Sequence, residues 1–251
     1  GLTQADIGRS VSGDVRAMHV RSGVALTLEH IGMDGGHDKG GGLYMEPGAT
    51  VHLIGASIRG SARLGGAIYN DHGTLILSNS VFSEPIYDNV QERVRNGLTT
   101  LVSGRATEAG SAIYNEGGEV TGSGEIGLFA NNFEGSQTGD VIYNDGGTLF
   151  IDGAPSLGFR FGRITKGNSL GHGGGIYSRN GVVSLKNLFV AQHTAVGHGG
   201  AIYLDGGTLS MEGLYITGSA ASGGAVYVAS GTVQADRVLV VEATASEAGG
   251  G

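Results

Sequence analysis

The chain has no cysteine, no tryptophan and only 3 prolines in 251 residues. Without cysteine there are no disulfide staples and no thiolate metal sites. Scarce proline, with glycines that follow no three-residue period, excludes a collagen-like rod. Positive charge is short as well: 15 Lys and Arg stand against 23 Asp and Glu, a formal charge of −8. A nucleic-acid backbone demands the opposite sign, so nucleic acid is not an expected partner. No apolar stretch approaches the roughly 20 residues of a spanning helix, so direct membrane insertion of this segment is not expected. Catalytic signatures are missing too, with neither a GxSxG elbow nor an HExxH zinc motif.

What abounds is glycine, 50 of 251 residues, about three times the usual share. Since 39% of the residues are hydrophobic, disorder does not explain the glycine. A repeat does. GGAIYN-like segments place Tyr44, Tyr69, Tyr114, Tyr143, Tyr177, Tyr203 and Tyr227 in one column, with His19 at the equivalent place of an earlier copy. Their spacings are 25, 25, 45, 29, 34, 26 and 24 residues, a basal period of about 25 with three lengthened intervals. Glycine stands four residues before each tyrosine (Gly40, Gly65 and onward to Gly223) and four residues after it (Gly48, Gly73 and onward to Gly231). Glycine at a fixed phase means a turn, or a close contact between coils, at a fixed phase.

One residue before each tyrosine stands Leu43, Ile68, Ile113, Ile142, Ile176, Ile202 or Val226, with Met18 before His19. This aliphatic column is expected to point inward, stacked coil on coil. Alternation then places Val183, Leu185, Leu188 and Val190 inward, matched one period later by Leu209, Met211, Leu214 and Ile216. Period 2 within each run and about 25 between runs predict an all-β, right-handed parallel β-helix. The expected rod has about eight coils with three short strands each, stacked at about 4.8 Å per coil. Residues 1–251 are expected to form one solenoid, a piece of a longer one, because SEAGGG ends where another glycine pair begins. Insertions near 83–104, with a candidate helix at 88–95, and near 154–168 break the rhythm.

Several columns are candidates for chemistry. If the aliphatic column points in, the tyrosines point out, beside a small-residue column two places earlier (Ala67, Ala112, Ala201). Tyr69, Tyr114, Tyr143, Tyr177 and Tyr203 are therefore a candidate binding face for sugars or a flat protein partner. Packing between neighbouring strands explains the same pattern. Asn70, Asn115 and Asn144 follow their tyrosines and are expected to be structural, stacked at a corner. Glu46, Asp71, Glu116, Asp145, Arg179 and Asp205 form an acidic column, which fits calcium or a solvated edge; no other cofactor is expected. His172 and His198 share a position five residues before their tyrosines and are candidate transition-metal ligands, with no third ligand in their column. The second insertion carries Phe159, Arg160, Phe161 and Arg163, a basic-aromatic patch suited to a carbohydrate, a carboxylate or a protein surface.

The segments GGAIYN (65–70), GGGIYS (173–178), GGAIYL (199–204) and GGAVYV (223–228), with an FxxN match at Phe129–Asn132, resemble the chlamydial-type polymorphic outer membrane proteins. That resemblance covers most of the chain. It implies a β-helical, autotransporter-passenger-like rod, secreted or at the cell surface, that makes protein–protein or adhesive contacts within a larger assembly. The alternative is a polysaccharide-acting lyase or hydrolase of the β-helix type. Such enzymes need paired carboxylates, and Asp140 and Asp145 look isolated in sequence while Asp152 sits in a turn-like IDGAP.

Overall fold

The computed structural model describes residues 15–79, 100–130, 135–153 and 162–249. Among these, every regular element is a strand, and the strands pair in parallel into a β-solenoid of eight coils. The expected period becomes an observed register: Met18 lies beside Leu43, Leu43 beside Ile68, Ile68 beside Ile113, and so on to Val226.

Three parallel ladders run along the rod. The first holds the tyrosine segments, beginning with Met18–Val20, Leu43–Met45 and Ile68–Asp71. The second begins with Ala25–Glu29, Thr50–Ile54 and Thr74–Ser78. The third runs from Gly32–Met33 through Ser57–Leu64 to Tyr215–Ser222 and Leu239–Val240. Three strands per coil hold in the first four coils, and the fifth adds a short Asn168–Ser169 strand to its three. In the last three the first two strands fuse, giving Ile176–Lys186, Ile202–Glu212 and Val226–Asp236. Glycine at Gly181, Gly207 and Gly231 lets these long strands bend at the corner without breaking the ladder.

The inward aliphatic column is as expected, with Leu43, Ile68, Ile113, Ile142 and Ile176 all 0% exposed. Its partners on the other two ladders, such as Leu75, Val120, Leu149, Val102 and Leu128, are equally buried. In the last coil the same inward positions are uncovered: Val233 and Val240 are 37% and 40% exposed.

The small-residue column is a correction. Ala67, Ala112 and Ala201 do not flank the tyrosines on the outer face; each is fully buried. Strict alternation fails here because the chain turns at the glycine four residues before each tyrosine, where φ lies between 52° and 67° in all seven coils. The residues after that turn press against the backbone of the third ladder. A Cβ on Gly104 would fall on the carbonyl of Ser111 and 2.5 Å from the nitrogen of Ala67. Small residues here let two strands of one coil meet backbone to backbone.

The insertions are also narrower than expected. The third ladder resumes at Thr100 and again at Gly162, so 100–104 and 162–165 belong to regular strands. The candidate helix at 88–95 and residues Phe159, Arg160 and Phe161 lie outside the described residues.

Candidate functional site

At the corner after the tyrosines, Asn70, Asn115 and Asn144 are fully buried and form the expected ladder. Asn70 Nδ2 donates to Asn115 Oδ1 at 2.8 Å, and Asn115 Nδ2 donates to Asn144 Oδ1 at 2.7 Å. Each amide also donates to the carbonyl three residues on, at 2.9–3.0 Å, closing its own turn. The ladder ends on Ser178, whose Oγ accepts from Asn144 at 3.3 Å. The glycines four residues after the tyrosines make room for it: a Cβ on Gly147 would collide with Asn115 Nδ2. The left-handed residue of this turn stands one place earlier, at His72, Gly117, Gly146 and Asn180.

The tyrosines do point away from the aliphatic core, but as a closed stack rather than a displayed strip. Ring centroids from Tyr69 through Tyr114, Tyr143 and Tyr177 to Tyr203 are 4.9–5.0 Å apart with interplanar angles of 2–15°. Tyr44 and Tyr227 extend the stack at 5.5 and 5.4 Å. Each face is taken by the next ring, and Tyr69 is only 1% exposed. What the stack offers a ligand is ring edges and hydroxyls. The ammonium of Lys39 caps Tyr69, 4.5 Å from the ring centroid, and donates to its hydroxyl at 3.0 Å.

The acidic column answers these phenols. Tyr44 donates to Asp71 of the next coil at 3.0 Å, Tyr69 to Glu116, and Tyr177 to Asp205 at 3.4 Å. Arg179 interrupts the pattern and grips Asp145 with two bonds of 2.9 and 2.5 Å. The carboxylates therefore serve as individual acceptors; among the described residues no three His, Asp or Glu converge. Burial, and then the bond to Asp71, pushes the Tyr44 phenol up to about 12. Burial likewise raises Tyr69, Tyr114, Tyr143, Tyr177 and Tyr203 above the ordinary value of 10.0. A phenol whose folded value is raised contributes stability that is lost as pH climbs past its unfolded value. In an alkaline absorbance titration these phenols are expected to ionise together with loss of the β-sheet circular dichroism, above the pH at which free tyrosine ionises. Separate ionisation of a folded stack would contradict this.

His172 and His198 come together as stacked rings, 5.0 Å apart, and lie in turn on Tyr203 and Tyr227 at 4.7 and 4.6 Å. His172 Nδ1 accepts the His198 backbone N–H at 3.0 Å, so the neutral ring carries its proton on Nε2. The pair extends the aromatic stack sideways across the corner.

Sequence reasoning did not place two polar groups, Asp140 and His193, in the interior. Asp140 looked isolated but is fully buried, accepting from Ser111 Oγ at 2.8 Å and from the Asn168 backbone at 2.7 Å. His193 is 1% exposed; it donates from Nε2 to the Ile164 carbonyl at 2.9 Å and accepts from Gly167 at Nδ1 at 3.1 Å. Burial pulls its pKa down to about 4. Below the unfolded value near 6.5, an unfolded chain binds a proton that the folded chain refuses. Stability is then lost as pH falls toward 4, by roughly 3 kcal/mol in full. Urea midpoints at pH 7 and 4.5 should fall sharply for the native chain and less for His193→Gln; equal falls would remove His193 as the cause.

The third ladder carries a feature that no motif announced. Ser57, Leu101, Gly127, Arg163, Phe189, Tyr215 and Leu239 lie in one outward register. Phe189 and Tyr215 stack at 4.5 Å with rings 3° from parallel, and the guanidinium of Arg163 sits 5.9 Å from the Phe189 centroid. Phe129 leans over Gly127, where a Cβ would meet its ring, and Leu239 is 57% exposed. Arg163, a residue of the predicted patch, thus joins an aromatic strip. The described strands stop at Ser78 and Asp152 in the second ladder and resume at Thr100 and Gly162 in the third, at the start of this strip.

No family model, no curated protein and no solved structure matches the chain.

Proposed function

We propose that this chain is a non-catalytic, extracellular or cell-surface rod that holds a protein partner or a larger assembly on its third face. The observation that carries this is the outward strip of Leu101, Phe129, Arg163, Phe189 and Tyr215, on strands that in two coils directly follow an insertion in the sequence. Aromatic residues and arginine are the side chains that dominate protein interfaces, and loops on a rigid scaffold are where binding concentrates. The carboxylates support the same reading. Asp71, Glu116 and Asp205 accept from phenols, Asp145 pairs with Arg179, and Asp152 accepts from Asn187 at 2.9 Å. Asp71 and Glu116 are register neighbours, but each is engaged by a phenol of the preceding coil. The GGAI-type segments add the polymorphic-outer-membrane-protein likeness, and with it a passenger-like setting at a cell surface.

The test is electron microscopy of the full-length protein in its native assembly, followed by Phe189→Ser/Tyr215→Ser. Density against the third face that the double variant loses is the expected result. A rod bare on that face, together with shortening of an acidic polysaccharide by the purified chain, would replace this proposal with the lyase or hydrolase.

A further inference from the structure

We propose that the tyrosine stack is an oxidative modification site, at which neighbouring coils become covalently joined through dityrosine bonds. Three observations lead there. The phenols form six consecutive tyrosine–tyrosine contacts, with centroid separations of 4.9–5.5 Å. The two most nearly parallel pairs, Tyr69–Tyr114 and Tyr143–Tyr177, are each 2° from parallel. Three of the hydroxyls already donate to a carboxylate of the following coil: Tyr44 to Asp71, Tyr69 to Glu116 and Tyr177 to Asp205.

Removing an electron from a phenol makes it a strong acid, so an acceptor already bonded to the hydroxyl takes the proton without rearrangement. At Tyr177 the electron leaves to a one-electron oxidant and the proton passes to Asp205. A second oxidation at Tyr143 gives two neighbouring phenoxyl radicals. Their carbons ortho to oxygen form one new bond, and the hydrogens on those carbons move to the oxygens, restoring two phenols. Two tyrosines lose two electrons and two protons in total. Hydrogen peroxide, acting through a haem peroxidase, accepts both pairs and becomes two waters. Contact between stacked rings also lets a radical formed at an accessible phenol pass to a buried one such as Tyr69. A peroxide-generating surface environment is thus the chemistry this column fits, and the product is a rod whose coils cannot separate.

Tyr215 supplies an internal control, because its stacking partner is Phe189 and not another tyrosine. The purified chain, dilute and native, is treated with peroxidase and peroxide and digested, and cross-linked peptides are mapped by mass. The expected result is dityrosine fluorescence in a chain that still runs as a monomer on a denaturing gel. The links should join only stack neighbours, each with the mass loss of two hydrogens. Tyr143→Phe keeps a ring in the stack while removing two of the six contacts, so the Tyr114–Tyr143 and Tyr143–Tyr177 links should vanish and the others persist. The proposal is overturned by links between separate molecules alone or by links through Tyr215. It is equally overturned if the native chain forms no dityrosine while N-acetyltyrosinamide dimerises in the same mixture.

Discussion

Replacing Asn115 by leucine is expected to lower folding stability by about 4 kcal/mol, read as a fall in the urea midpoint with an unchanged slope. Leucine keeps the branching of asparagine but is bulkier and offers neither donor nor acceptor, so overpacking adds to the polar cost. Asn115 is fully buried and sits in the middle of the amide ladder. Its Nδ2 serves both Asn144 Oδ1 and the Gly118 carbonyl, and its Oδ1 accepts from Asn70. The substitution leaves Asn144 Oδ1 without its side-chain donor and takes an acceptor from Asn70. It also frees a turn carbonyl, in a place where each unmade bond costs about 1–3 kcal/mol. Ser178→Ala is the comparison. That hydroxyl terminates the ladder through a 3.3 Å bond, so its removal should cost about 1 kcal/mol. Equal effects at the two positions would mean that the amides are merely space-filling.

Gly104→Ala should be almost as damaging, at about 3 kcal/mol or more. The added carbon would meet the Ser111 carbonyl and the Ala67 nitrogen, both backbone atoms of the adjoining turn that have no rotamer to change. Gly146→Ala separates steric cost from conformational cost. At Gly146 φ is +68°, yet no atom lies within 4 Å of an added Cβ, so only the left-handed penalty of about 1–2 kcal/mol applies. Thermal or urea unfolding of the two variants side by side should keep that order. The reverse order would show that the seam between the first and third ladders can yield.

The solenoid was legible because its columns are defined by side-chain chemistry that repeats whenever the coil does. Ile68, Ile113, Ile142, Ile176 and Ile202 mark one inward phase, and the register places them side by side. The Asn70–Asn144 amides were legible for the same reason. Ala67 and Ala112 were misplaced because alternation holds only within a strand, and the turn at Gly65 and Gly110 resets it. The tyrosines point outward as read, but Tyr69 and Tyr143 are buried while the others are half-exposed. Direction comes from period 2, whereas exposure depends on whether rings lie flat on each other, which the period does not encode. Asp140 and His193 occur once each, and a residue without a column gives no periodic signal. The outward strip had a signal, since Phe189 and Tyr215 stand one residue after inward Leu188 and Leu214. Neither carries a motif, and only the stacking of coils joins them to Arg163.

The corner between the second and third ladders tolerates differences in length that no other part of the coil shows at this scale. Gly124–Glu125 suffice to turn it in the fourth coil, while in the coils on either side positions 79–99 and 153–161 separate the corresponding strands in the sequence. The ladders on both sides keep register regardless, with Ser123 beside Ser78 and Asp152, and Gly127 beside Leu101 and Arg163. The rod therefore behaves as a mounting rail with a slot every 4.8 Å or so along one edge. New segments can be gained, lost or exchanged in that slot while the frame that carries them stays the same.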